Sequence, residues 1–225
     1  GIAFTKGWEG TRYVTYSYTF TMGTQAVTLN GSATANPTVT VNNSHTSETF
    51  KDGVSSTRPG GTVTVDITPD QNYYLARATV TKGTHNGIKA TEDDRDQSSK
   101  YVITMGTEDI TMTASATQKP YITFSSISKC RTVKVNGSAV GANSPVYVLP
   151  NVPVTIYTEN STLNQEYLFY SKYLNPPTVA LSSGNATRPN RTGSDKPMWS
   201  YSYSEWTITV KAETGEIKLT ATGNS

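Results

Sequence analysis

Tyr18, Phe20 and Met22 alternate with Thr19 and Thr21, the period of two that marks a strand with one face buried. A short polar break, "GTQA", follows. Val27 and Leu29 then alternate with Thr28 and Asn30, so the stretch predicts strand, tight turn, strand. The same order returns at Tyr101, Ile103 and Met105, then the break "GTED", then Ile110, Met112 and Ala114. It returns again at Trp206, Ile208 and Val210, followed by Ile217, Leu219 and Ala221. The third turn is longer by two residues, a change that loop-closure entropy penalises only weakly. Three copies that place an aromatic, two apolar residues, two aliphatics and a small residue in one order define an internal repeat.

Other positions keep the phase. Pro37 opens "PTVTV" and Pro120 opens "PYITF", 83 positions apart, the same spacing as Tyr18 and Tyr101. "TKGWEG" from Thr5 echoes "TKGTHNG" from Thr81. The reading is a partial unit over 1–36, a full unit over 37–119 and a longer unit with an insertion over 120–225. Within the full unit, strands are expected near Thr38–Asn42, Thr62–Thr68, Leu75–Thr81, Tyr101–Met105 and Ile110–Ala116, with turns at Asp52-Gly53 and Pro59-Gly60-Gly61. No segment carries apolar residues at spacings of three and four, so no long helix is expected. The predicted fold is all-β, built as tandem small antiparallel units, each a sandwich or an open barrel.

Composition fits this picture. Of 225 residues, 35% are hydrophobic and 16% charged, Thr is the commonest residue, and 14 Tyr outnumber 5 Phe. Such a balance suits strands and turns better than helices. A net charge of +2 without a concentrated basic run argues against nucleic acid as a partner. No apolar stretch approaches the twenty or so residues of a membrane-spanning helix, and "GIAFTKGWEG" is not a signal peptide. The single cysteine, Cys130, lies beside a strand-like run and reads as a small strand residue.

Candidate chemistry is sparse. His45 and His85, the only histidines, fall in polar, turn-like stretches without local partners for a zinc set or a catalytic dyad. "TEDDRDQSS" gathers Glu92, Asp93, Asp94 and Asp96, but it lacks the bend-forcing Gly of a calcium loop and contains Arg95. Acids such as Asp66, Glu159, Glu166 and Glu205 could be paired for glycoside hydrolysis, but any chain of this size has spare acids and nothing singles these out. Asp66 is expected to face solvent, opposite Val63, Val65 and Ile67. Neither a catalytic residue nor a metal or other cofactor is predicted.

The one stretch that suggests a ligand is "MWSYSYSEW". Trp199, Tyr201 and Tyr203 alternate with Ser200, Ser202 and Ser204, and upstream "EYLFYSKY" adds Tyr170 among other aromatics. Between them runs "LNPPTVALSSGNATRPNRTGSDKP", a long insertion of the sort that often carries function. If exposed, an aromatic stripe of Trp199, Tyr201, Tyr203 and Tyr170 would stack on the C–H faces of sugar rings. If buried, the same stripe is one face of a sandwich core.

"GTVTVDITPDQNYYL" followed by "YVITMGTEDITMTASA" resembles the internalin-B-type, or Listeria–Bacteroides, group of bacterial surface repeats. Gly61, Val63, Val65, Pro69, Tyr73, Leu75, Met105, Ile110 and Ala114 fall on that family's steps. Asn72 stands where Gly is usual and Gly106 where Pro is usual. The resemblance implies an exported or cell-surface bacterial protein whose repeats serve adhesion or spacing, with a glycan or surface protein as partner. The alternative function is a carbohydrate-binding module on the aromatic stripe.

Overall fold

The computed structural model describes residues 2–9, 14–20, 23–28, 30–32, 34–75, 78–93, 96–167 and 170–225, with side chains described outside 2–20, 86–93, 166–167 and 170–171. It is all-β, and the chain divides into two compact units, Gly1–Ala116 and Thr117–Ser225. The division falls a few residues from the repeat boundary read at 119/120, and the first 36 residues are grouped with the first unit.

The first unit contains β1 (Ile2–Glu9), β2 (Val14–Phe20), β3 (Val39–Ser44), β4 (Thr46–Phe50), β5 (Thr62–Pro69), β6 (Tyr73–Leu75), β7 (Thr79–Lys82), β8 (His85–Asp93), β9 (Ser99–Met105) and β10 (Ile110–Gln118). One sheet runs β4-β5-β9-β8; in the other, β10 pairs with β3, β6 and β7. The second unit contains β11 (Tyr121–Ser128), β12 (Cys130–Val135), β13 (Ser138–Ala139), β14 (Val146–Tyr147), β15 (Pro153–Leu163), β16 (Gln165–Tyr167), β17 (Tyr170–Lys172), β18 (Thr178–Ser183), β19 (Asn190–Asp195), β20 (Tyr201–Thr209) and β21 (Glu216–Thr222). Its sheets run β13-β12-β15-β20-β19 and β14-β11-β21-β18.

The two plans share a common set of strands. β5, β9 and β8 match β15, β20 and β19, while β3, β10 and β7 match β11, β21 and β18. The repeated apolar positions explain why. Tyr101, Ile103 and Met105 on β9 meet Ile110, Met112 and Ala114 on β10 in a single core with Val63, Val65 and Ile67. Trp206, Ile208 and Val210 on β20 meet Ile217, Leu219 and Ala221 on β21 in the other, with Ile156 and Phe124. Each core draws on both sheets of its unit, the arrangement of a sandwich. Asp66 is half-buried, on the face opposite Val63, Val65 and Ile67.

The sheets are not purely antiparallel. β3 runs parallel to β10, and β11 runs parallel to β21. The unit's opening and closing strands therefore lie side by side, joined by the whole intervening chain, as a parallel pair requires a long crossover. The expected Leu75–Thr81 strand is broken into β6 and β7, and β4 and β8 are additional strands. The first copy of the repeat differs most. β2 pairs with β1, the described residues between 23 and 37 carry no strand, and Val27 is 49% exposed. Alternation alone does not make a strand. In both complete units the corresponding strand lies between a parallel and an antiparallel neighbour, and no such neighbours flank Val27 among the described residues.

Asn72, the departure from glycine, has φ 66°. Asn is the residue that tolerates this left-handed conformation best after Gly, because its short amide bonds locally. Asn72→Gly is expected to change unfolding free energy by only a few tenths of a kcal/mol, whereas Asn72→Val costs about 1–2 kcal/mol. Urea titrations of the two variants check this, and equal costs would contradict it. Gly106, the departure from proline, fits for a different reason: a Cβ there would lie 2.5 Å from the Thr84 carbonyl oxygen.

Candidate functional site

Trp206, Ile208 and Val210 fix the inward phase of β20. Counting back by two puts Ser204 and Ser202 inward as well, and both are fully buried. Tyr203 and Tyr201 therefore point away from the core, on the outer face of the five-stranded sheet, each half-exposed. The register sets Tyr203 opposite Glu159 and Glu205 opposite Tyr157. Tyr157 and Tyr203 stack with ring centroids 5.5 Å apart and planes 26° from parallel. Arg131, entering from β12, lies 4.0 Å over the Tyr201 ring and pairs with Glu159 at 3.3 Å. Lys134 sits 5.7 Å from the Tyr157 ring centroid. Such cation–ring contacts hold both partners in place.

Beside this platform lies a cleft of about 340 Å³ lined by Lys134, Tyr157, Thr192 and Glu205. Burial raises the Tyr157 phenol to about 12, with the nearby Glu159 carboxylate adding to the shift. The ring thus stays neutral and able to donate a hydrogen bond at every physiological pH. Ionising it disfavours the folded form, so its contribution to stability is lost only as pH rises from 10 toward about 12.

The four aromatics singled out in the sequence do not form one stripe. Trp199 lies before β20 in a turn, at φ 53° and 58% exposed, so it leaves the face that Tyr201 and Tyr203 share. Tyr170 lies on β17, in the hairpin with β16, and its side chain is outside those described. Tyr157, Arg131 and Lys134 complete the platform from neighbouring strands. Only Tyr157 had a legible signal: it precedes Thr158 in "PVTIYTEN", out of phase with inward Val154 and Ile156.

Facing inward at the same end of the sheet is a polar seam. Asn164 is fully buried. Its Nδ2 donates to the Pro197 carbonyl at 2.9 Å and to Ser202 Oγ at 2.9 Å, and its Oδ1 accepts from the Leu174 N–H at 2.8 Å. Ser202 Oγ donates to the Leu174 carbonyl, and Ser204 Oγ to the Pro177 carbonyl, both at 2.6 Å. Asn160 Nδ2 donates to the Asn175 carbonyl at 2.9 Å. The segment Leu174–Pro177 cannot join a ladder fully, because Pro176 and Pro177 carry no N–H. Side chains of the sheet satisfy its backbone groups instead, and among the described residues no buried side-chain nitrogen or oxygen lacks a partner.

The remaining candidates fall elsewhere. His45 is exposed, stacks on Tyr73 at 4.2 Å and lies 3.6 Å from Asp70, while His85 opens β8. Asp94 and Arg95 lie outside the described residues, as do the side chains of Glu92 and Asp93. Among the described residues, no three His, Cys, Asp or Glu side chains are grouped as a metal set. Cys130 packs against the second core, and burial pushes its thiol up to about 11 against the opposing backbone hydrogen bond with Gly223. It is therefore protonated and a poor nucleophile at neutral pH.

No protein-family model matches the chain, and neither a curated protein nor a solved structure does.

Proposed function

We propose that this chain is a non-catalytic module of an exported bacterial surface protein, working in adhesion through sugar rings held on the tyrosine face of its second unit. The observation that carries the reading is the stacked Tyr157–Tyr203 pair, half-exposed on a sheet face, continued by Tyr201 under Arg131. Rigid rings offer flat apolar area at little entropic cost, and the adjoining cleft adds a few hydrogen-bonding groups, the usual mix of a ligand site. Export and surface display rest on the resemblance to the internalin-B-type repeats. Spacing of other modules is the second reading, favoured by two units that repeat one strand plan.

Pull-down on neutral polysaccharides such as cellulose, xylan, mannan and chitin tests the adhesive reading. Retention of the wild-type chain on at least one of them is expected, with about tenfold weaker binding for Tyr203→Ala and for Tyr157→Ala. Their melting temperatures should stay near wild type, because both rings lie outside the core. Undiminished retention of the double variant, or no retention of the wild type on any neutral glycan, would rule out the tyrosine face as the sugar site.

A further inference from the structure

A second cleft, of about 670 Å³, opens beside β18 and β19 and is bordered by Arg191, Asp195, Lys196, Asn175, Pro176 and Asn224. It lies where both sheets of the second unit end, β18 closing one and β19 the other. The register brings Arg191 opposite Trp206, and its guanidinium carbon lies 4.8 Å over the indole. That indole is only 8% exposed, and its Nε1 donates to Ser204 Oγ at 2.8 Å. The ring is fixed, so it gives the guanidinium a seat. The Arg191 side chain has no carboxylate partner among the described residues, which leaves its fork of N–H donors available.

The rest of the lining adds to this. Lys196 Nζ donates to Asn175 Oδ1 at 2.7 Å, which places a second cation in the cleft and keeps two of its donors in hand. The one acid, Asp195, accepts the Lys196 backbone N–H at 2.7 Å. Two cations against one carboxylate leave the cleft net positive. The remaining polar lining comes from Thr178, Ser194 and the amides of Asn175 and Asn224; Asn224 Nδ2 donates to the Asn175 carbonyl at 3.0 Å, so Asn175 Nδ2 and Asn224 Oδ1 are the amide groups suited to hydroxyls. A guanidinium takes a planar carboxylate with two parallel hydrogen bonds. Amides around it meet hydroxyls, whereas an acidic peptide would ask for a strand edge or side-chain pockets.

We propose that this cleft binds a carboxylate-bearing saccharide, a uronic-acid unit whose carboxylate is gripped by Arg191 and whose hydroxyls meet Asn175 and Asn224. The assignment goes beyond the tyrosine face, which is built on β12, β15 and β20 and calls for no charge on the sugar.

Isothermal titration with short oligo-uronates (galacturonate, mannuronate and glucuronate-containing) and with their methyl esters tests it. The ester keeps every hydroxyl and removes only the charge. At least one acid is expected to bind, its ester at least tenfold more weakly, with affinity falling as salt rises. Arg191→Met should weaken the acid at least tenfold and leave the ester unchanged. Arg191→Lys keeps a cation over Trp206, guarding against a folding artefact, and should also bind more weakly because an ammonium has no fork. Tyr203→Ala should leave the acid-to-ester ratio unchanged, which separates this cleft from the tyrosine face. Equal binding of acid and ester, full affinity in Arg191→Met or Arg191→Lys, or no binding of any oligo-uronate would overturn the proposal.

Discussion

Asn164→Ala is expected to destabilise the second unit by roughly 3 kcal/mol, lowering its melting temperature by on the order of 10–20 °C for a unit of this size. The side chain removed makes hydrogen bonds to three separate segments. Without it the Leu174 N–H and the Pro197 carbonyl lose their partners, and Ser202 loses its donor. Leu174 is buried, so water does not readily take the vacated place and the desolvation penalty stands. Asn164→Asp separates the donor's role from the acceptor's. It keeps an acceptor for Leu174 but sets a carboxylate oxygen against the Pro197 carbonyl. That carboxylate is favoured protonated when folded, so the variant should regain stability as pH falls, opposite to the usual effect of acid on paired carboxylates. Calorimetry of both variants at neutral and acid pH checks this. A loss below about 1 kcal/mol in Asn164→Ala would mean that the seam is solvated.

The serines of "SYSYSEW" show how much of this was legible. The inward phase of β20 is written in Trp206, Ile208 and Val210, and extending it backward places Ser204 and Ser202 in the interior and both tyrosines outside. The outer position of Tyr201 and Tyr203 could therefore be read from alternation once the third copy of the repeat was identified, although β20 and β21 lie in different sheets and do not pair as a hairpin. The reason that serines are tolerated inside could not. It depends on Leu174–Pro177, about thirty residues away, arriving with backbone groups that need side-chain partners. The same division applies to the fold. Local alternation marks β9, β10, β20 and β21, but the parallel pairing of β3 with β10 is a long-range choice, and period-two patterns carry no partner identity. Val27 shows the limit from the other side. It has the pattern of Ile110 without the neighbours, and it is exposed. In the candidate site, Arg131 and Lys134 were invisible because only the register of β12 against β15 brings them to the tyrosines.

If Tyr101 and Trp206 are equivalent anchors of one module, truncating either should cost about the same. Tyr101→Ala and Trp206→Ala are each expected to lose about 3–5 kcal/mol, the range for removing a buried aromatic. Both rings sit on the second strand of the matched sheets, facing Val65 on β5 and Ile156 on β15 respectively. Substitution by phenylalanine should then split the pair. Tyr101 Oη accepts a hydrogen bond at 3.0 Å from the N–H of buried Ala78, so Tyr101→Phe orphans a buried donor and costs about 1–2 kcal/mol despite the near-identical shape. Trp206 instead donates to Ser204 Oγ, which also lies 2.9 Å from Thr158 Oγ1 and bonds to the Pro177 carbonyl. Trp206→Phe therefore leaves no group unpaired and loses mainly volume and the seat of Arg191. Chemical denaturation of the four variants distinguishes these terms. An alanine variant at either position that unfolds with wild-type stability would show that its ring is not an anchor, and the equivalence of the two repeated strand pairs would fail with it.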